Sequence, residues 1–200
     1  MQLIKDLYKP SGITFNHQKS MAKWYVNSSW AGPSSNFDEM KMALHKGDYK
    51  TVNLYIRNIT DFDYGGTCTN PWKAKAEVPD PAKRLALDGC VVGTFTLPRS
   101  SHPYMNQGKT AVHEMGHWFG LWHPFEHGGI RNGLNPPDPC WSGNPDDNVT
   151  DTNKMKDWTP GICVEGQNTC DPKDNLTDPI HNYMSYSSDA CLTEFTKGQV

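Results

Sequence analysis

Apolar residues recur at helical spacing in SNFDEMKMALHK, residues 35–46. Phe37, Met40 and Leu44 fall on one face, while Met42 lies off that stripe. Ser35 or Asn36 can cap the start, Asp38 and Glu39 follow in the first turn, and Gly47 can end the segment. The pattern predicts a core-facing helix without chemistry of its own. Residues 51–57, TVNLYIR, alternate and carry β-branched side chains, which predicts a strand. Residues 90–97, CVVGTFTL, predict a second strand, ended by Pro98. Another helix is expected over 108–120. From 124 to 180 the chain is dense in Pro, Gly, Asn and Asp, which predicts long irregular structure of the kind that is functional or pinned by cross-links. The tail, TEFTKGQV, reads as the start of a helix cut short at Val200. No internal repeat or low-complexity block interrupts this order. Strands and a helix, then a second helix, then loops predict an α+β domain with a loop-rich second half. A cleft between the halves is the expected place for a substrate.

Composition narrows the classes. Two hundred residues suit one compact domain, and the 17 glycines and 15 prolines agree with a loop-rich globular chain. Seven Trp, eight Tyr and seven Phe supply large apolar area. The formal net charge is -3 and no Lys/Arg run could track a phosphate backbone, so a nucleic-acid partner is not expected. No apolar stretch approaches the roughly 20 residues that span a bilayer, so membrane insertion is not expected. The opening MQLIKDLYKPSG has no apolar signal core, so a secreted form is expected to have its signal and pro-segment outside these residues.

Six cysteines, at 68, 90, 140, 163, 170 and 191, include no CxxC pair. That disfavours a thiolate zinc cluster and favours disulfides in an oxidising compartment, although spacing alone leaves 15 pairings open. Four Asn-x-Ser/Thr sequons, at Asn27, Asn58, Asn148 and Asn175, agree with secretion from a eukaryotic cell and with a glycoprotein.

The decisive stretch runs from His113 to His123, HEMGHWFGLWH. Positions four apart share a helix face, so His113 and His117 can aim their rings at one point. A ligand six residues further on cannot lie on that face of a continuous helix. Gly120 resolves this, because glycine tolerates positive φ and can end the helix in a tight turn that returns His123 to the same ion. Three neutral imidazoles leave a fourth position for water, the catalytic pattern for zinc. Glu114, next to the first ligand, can take a proton from the attacking water and pass it to the leaving amine. Trp118, Phe119 and Leu121 read as core residues. His17, His45, His102, His127 and His181 read as ordinary surface or polar-core histidines.

HExxHxxGxxH resembles the signature of the metzincin metallopeptidases. Downstream, Asn182-Tyr183-Met184-Ser185-Tyr186 resembles their Met-turn. Among metzincins, NYMSYSSDACLTEFTKGQV, the run from His117 to Phe125, and Asp88-Gly89 with Val91-Val92 resemble the pappalysin family, especially its short secreted fungal and archaeal-type members. Pro124 departs from the small polar residue usual there and is similar to the serralysins. The clear resemblance spans roughly residues 85–200.

This resemblance implies a metzincin-like domain over 1–200. Its upper half, about 1–120, would hold a mixed twisted sheet and the zinc-site helix. Its lower half, about 121–200, would be loop-rich and disulfide-bonded. Met184 would floor the site without binding metal, and Tyr186 would hydrogen-bond the transition state. The cysteines would pair as Cys68–Cys90, Cys140–Cys170 and Cys163–Cys191. Asp189 would sit at the base of the pocket after the scissile bond and favour Arg or Lys there. The loop from Asp146 to Thr152 resembles a calcium loop, with Asp147 and Asp151 as candidate ligands; Asp171, Asp174 and Asp178 form a second acidic group with a weaker claim. The expected function is a secreted, extracellular, monomeric zinc endopeptidase acting on protein or peptide substrates. The alternative is a catalytically silent secreted zinc-fold binding or effector module, against which an intact Glu114 argues.

Overall fold

Three short strands organise the first part of the chain. The computed structural model describes residues 1–30, 37–59, 65–125, 140, 147–156, 163–170 and 175–200. Strands β1 (Leu54–Arg57), β2 (Gly66–Cys68) and β3 (Cys90–Gly93) form one sheet in the order β1-β3-β2. The central strand β3 pairs in parallel with β1, Leu54 opposite Cys90, and antiparallel with β2, Cys68 opposite Cys90. Every residue of β3 is buried, which suits its near-continuous apolar run. A disulfide joins the facing Cys68 and Cys90, tying an edge strand to the centre.

Five α-helices accompany the sheet among the described residues: α1 (Gln2–Tyr8), α2 (Phe37–Leu44), α3 (Pro71–Glu77), α4 (Pro81–Ala86) and α5 (Lys109–Trp118). Met40 of α2 joins Ile59 and Val91 in a core cluster, flanked by Trp30, Phe37, Leu44, Tyr55 and Phe95. Met42 points to solvent, as its place off the apolar stripe requires. Lys41 is buried as well, a departure from its polar pattern. Its ammonium donates to the Gly89 carbonyl at 2.8 Å and to Thr69 Oγ1 at 3.1 Å, partners that a buried cation needs. Helix α5 packs on β2 and β3, and α1 packs on α5. Tyr8, 2 % exposed, donates its hydroxyl hydrogen to the Val112 carbonyl of α5 at 2.8 Å.

Several boundaries differ from the sequence expectations. The strand expected over 51–57 begins at Leu54, because Thr51 N–H closes a turn onto the Asp48 carbonyl at 2.8 Å. The strand expected over 90–97 ends at Gly93. Residues Thr94–Thr96 instead form a 3-10 turn, in which Thr96 Oγ1 donates to the Gly93 carbonyl at 2.9 Å. That local bond outweighs the β preference of the threonines. The helices α3 and α4 go beyond the sequence expectations, yet their start signals are present. Asn70 and Asp80 accept bonds from backbone N–H groups two and three residues on, and Pro71 and Pro81 occupy the first helical positions.

The chain divides into two compact units, Met1–Gly120 and Leu121–Val200. Among the described residues, the second unit contains no α-helix and no strand longer than the bridge between Asn182 and Glu194. Its order comes from side chains and cross-links. Met155, Ile180, Tyr183, Met184 and Leu192 are buried, and disulfides join Cys140 to Cys170 and Cys163 to Cys191. Closing loops of this length removes about 3–4 kcal/mol of unfolded-state freedom per bridge in the chain-entropy picture. The tail forms a 3-10 turn, Lys197–Gln199, with a capping box between Thr196 and Gln199.

Tyr8→Phe is expected to lower unfolding free energy by about 1 kcal/mol, the usual worth of one internal hydrogen bond, without changing the denaturant slope. Urea unfolding checks this, and an unchanged midpoint would show that the α1–α5 bond contributes nothing.

Candidate metal centre

Helix α5 begins after Gly108, which takes φ +81°, and carries His113, Glu114 and His117. Residues Thr110 to Gly116 are all buried, so these side chains project from a helix that is fixed on most sides. The rings of His113 and His117 meet edge to face, 4.8 Å between centroids. The helix ends where Phe119 N–H bonds the Met115 carbonyl and Gly120 N–H bonds the His117 carbonyl. Gly120 takes φ +98°, which L side chains rarely adopt. A Cβ there would also stand 3.0 Å from Trp72 Nε1. Both facts require glycine at the point where the chain turns back.

One nitrogen from each of His113, His117 and His123 lies within 4.8 Å of the other two. Among the described residues this is the one group of three or more His, Cys, Asp or Glu whose donor atoms converge in this way. His113 and His123 are each 7 % exposed. The His123 ring stacks on Phe125, centroids 4.9 Å apart and 8° between planes, and meets Tyr186 edge-on at 4.7 Å. Phe125 and Tyr186 touch as well, at 4.9 Å. These aromatic contacts hold the third imidazole where the turn delivers it.

Glu114 is 5 % exposed, and its Oε2 has no hydrogen-bond partner. Burial pushes its pKa up to about 8, against the opposing pull of the Lys41 ammonium. A carboxylate in such a place calls for positive charge nearby. A dication on the adjacent imidazoles would supply it, so the donor set and this orphaned oxygen together fit zinc. Gly66 of β2 makes room for the side chain. A Cβ there would come within 2.8 Å of Glu114 Cγ and of the Val91 carbonyl. No sequence signal marked Gly66. The Asp88 carboxylate accepts from Trp118 Nε1 at 2.9 Å and so anchors the last turn of α5, a role its place in the sequence motif does not reveal. Burial raises the Asp88 pKa, partly offset by that indole bond.

The remaining candidates belong to the second unit. Met184 is fully buried in a tight turn, closed by Ser185 N–H on the Asn182 carbonyl at 2.9 Å. Asn182 shapes the turn again through its Oδ1, which accepts from Met184 N–H at 2.8 Å. Asp189 is 2 % exposed. Asp147 and Asp151 do different jobs. Asp147 is buried and accepts from Val149 N–H at 3.0 Å. The Asp151 carboxylate accepts from Thr196 Oγ1 at 2.7 Å and Gly198 N–H at 2.8 Å, and so caps the C-terminal turn. Asp178 is likewise engaged by Thr169 and Gln167. Asp171, Asp174 and His127 lie outside the described residues.

The Peptidase_M43 family model, described as pregnancy-associated plasma protein-A, matches residues 35–200. The chain belongs to this family. It is 38 % identical over 199 residues to an extracellular metalloprotease of Pyricularia oryzae, covering 100 % of this chain and 62 % of that protein. It is 39 % identical over 197 residues to an extracellular metalloprotease of Neurospora crassa, covering 98 % of this chain and 61 % of that one. The chain thus spans about three-fifths of the length of these M43 relatives. The structure of mature mirolysin from Tannerella forsythia, solved with a cleaved peptide, superposes with a TM-score of 0.61 at 26 % identity, over 83 % of this chain and 57 % of mirolysin. The M43 assignment and the mirolysin likeness agree with the metzincin class expected from the histidine motif and with the α+β fold expected from the order of elements.

Metal-free protein provides a test of the buried carboxyl. An acid whose folded pKa is raised stabilises the fold below its unfolded pKa, near 4.5 here, and loses that contribution as pH rises toward about 8. After chelation, the stability of the native chain relative to Glu114→Gln should therefore fall across that window and level off above it. Denaturant unfolding at a series of pH values measures the difference. A flat difference would mean that the carboxyl is not desolvated.

Proposed function

We propose that this protein is a secreted zinc-dependent endopeptidase. The observation that carries the reading is the convergence of His113, His117 and His123 beside a buried glutamate whose Oε2 has no hydrogen-bond partner. Family membership and the naming of the fungal relatives as extracellular metalloproteases support it. No helix of the described chain is long and apolar enough to cross a membrane, which agrees with that location.

A zinc ion held by the three imidazoles supplies Lewis acidity toward water and toward the scissile carbonyl. The chain provides the rest. Glu114 takes the proton of the attacking water and returns it to the departing amine nitrogen. Its burial keeps competing water away and makes its basicity responsive to nearby charge. Tyr186, 38 % exposed and edge-on to His123, can turn its phenol toward a substrate and donate to the carbonyl oxygen as charge develops there. Met184 gives the site an apolar floor. Asp189, buried in the segment that follows, selects Arg or Lys after the scissile bond, the role that the family resemblance implies for it. Calcium at Asp147 and Asp151 has less support, since the protein already satisfies Asp151 with two donors.

Peptide hydrolysis by the 200-residue chain should stop with a zinc chelator and return with added zinc. Equal cleavage in both conditions would reject the metal mechanism. Glu114→Ala should retain zinc by elemental analysis while losing roughly 10²–10⁴-fold in kcat/KM. Full activity in that variant would remove Glu114 from the mechanism. A cleavage profile on a peptide library should show Arg or Lys just after the cut, weakened in Asp189→Asn. A profile without basic preference would discard the role of Asp189.

A further inference from the structure

The segment from Lys19 to Trp30 is the part of the described chain least accounted for by the fold. Met21, Trp24, Tyr25 and Val26 are 54, 97, 54 and 104 % exposed. Four large apolar side chains within six residues make an unusual surface for a soluble protein. Directly after them comes the sequon Asn27-Ser28-Ser29. Its three residues close on themselves. Asn27 Oδ1 accepts from Ser29 N–H at 3.0 Å and from Ser29 Oγ–H at 2.7 Å, and Trp30 N–H bonds the Asn27 carbonyl at 3.2 Å. This is an Asx-turn, a local arrangement that needs no tertiary support.

The turn matters because of which atom it occupies. Both bonds fall on Oδ1, while Nδ2, the atom that carries a sugar, takes part in none of the described hydrogen bonds. The hydroxyl donating to Oδ1 draws electron density from the amide and makes an Nδ2 proton easier to lose. Among the described residues, neither Asn148 nor Asn175 shows this pair of bonds. At Asn148, which sits at φ +62°, the following Val149 N–H is bound to Asp147. At Asn175, the Thr177 carbonyl accepts from Asn153 Nδ2. At Asn58, the third residue lies outside the described chain.

We infer that Asn27 is an N-glycan acceptor in this protein, and that its glycan stands beside the exposed Trp24–Val26 run. The co-substrate is a lipid-diphosphate-linked oligosaccharide of the secretory pathway. Nδ2 forms a bond to C1 of the first sugar, the C1–O bond to the diphosphate breaks, and the lipid diphosphate leaves with the electron pair. The proton lost by Nδ2 passes to a carboxylate of the transferase. Three residues separate Asn27 from Trp24, at most roughly 10 Å of chain, so the first sugars can lie over the indole and keep the run from associating with other chains. The inference rests on the secreted reading proposed above.

The test is expression of the full chain behind a secretory leader in yeast. The purified protein is then treated with a glycan-releasing amidase in ¹⁸O water and its peptides are read by mass spectrometry. Most molecules should carry the label at Asn27, with higher occupancy than at Asn148 or Asn175. Ser29→Ala should abolish the label at Asn27 alone, and Ser29→Thr should retain it. Secreted protein modified at other sequons but bare at Asn27 would overturn the inference and leave the secreted reading intact. A chain that takes no glycan at any site and never leaves the cell would count against the secreted reading, and this inference would fall with it.

Discussion

Three imidazoles that converge on one point are the constraint on which the rest of this structure depends. Two of them come from one face of α5, four residues apart. The third can reach them only if the helix stops at once. Gly120 provides that stop through its positive φ and through the space it leaves for Trp72. Everything around α5 serves to fix this turn. The sheet holds one side of the helix, α1 holds it through Tyr8, and Asp88 holds its last turn through the Trp118 indole. A site that binds a small ion tolerates little error, because metal–nitrogen distances vary by only tenths of an ångström. The burial and cross-bonding of α5 follow from that tolerance.

Electrostatics follow from the same geometry. Placing Glu114 in the buried face of α5 raises the cost of its charge, and the strand below accommodates it only because residue 66 is glycine. Lys41 lies within electrostatic reach of both Glu114 and Asp88, and its own bonds go to the Gly89 carbonyl and Thr69. The first unit thus contains a buried charge cluster whose members come from α2, the turn before β3, and α5. Such a cluster is stable only when its groups compensate one another.

The legible parts of this fold were those governed by short-range rules. The histidine spacing, the glycine and the helix between 109 and 118 could be read from the chain because each depends on residues within one or two turns. The apolar face of α2 could be read for the same reason. Proline after Asn70 and Asp80 marks the starts of α3 and α4 by the same short-range rules. What could not be read depended on distant partners. The end of β3 at Gly93, the burial of Lys41 and the place of Gly66 against Glu114 are set by contacts across the sheet. The disulfide pairing was open among 15 arrangements until the family resemblance selected one. Aspartates 147 and 151 looked alike in sequence, yet one turns a loop and the other caps the C-terminal turn.

The most direct measurement is X-ray absorption at the zinc edge on purified, zinc-loaded protein. The account predicts one zinc per chain, with three imidazole nitrogens at roughly 2.0–2.1 Å and a further light ligand. Sulfur in the coordination shell, fewer than three imidazoles, or folded and active protein free of transition metal would contradict it.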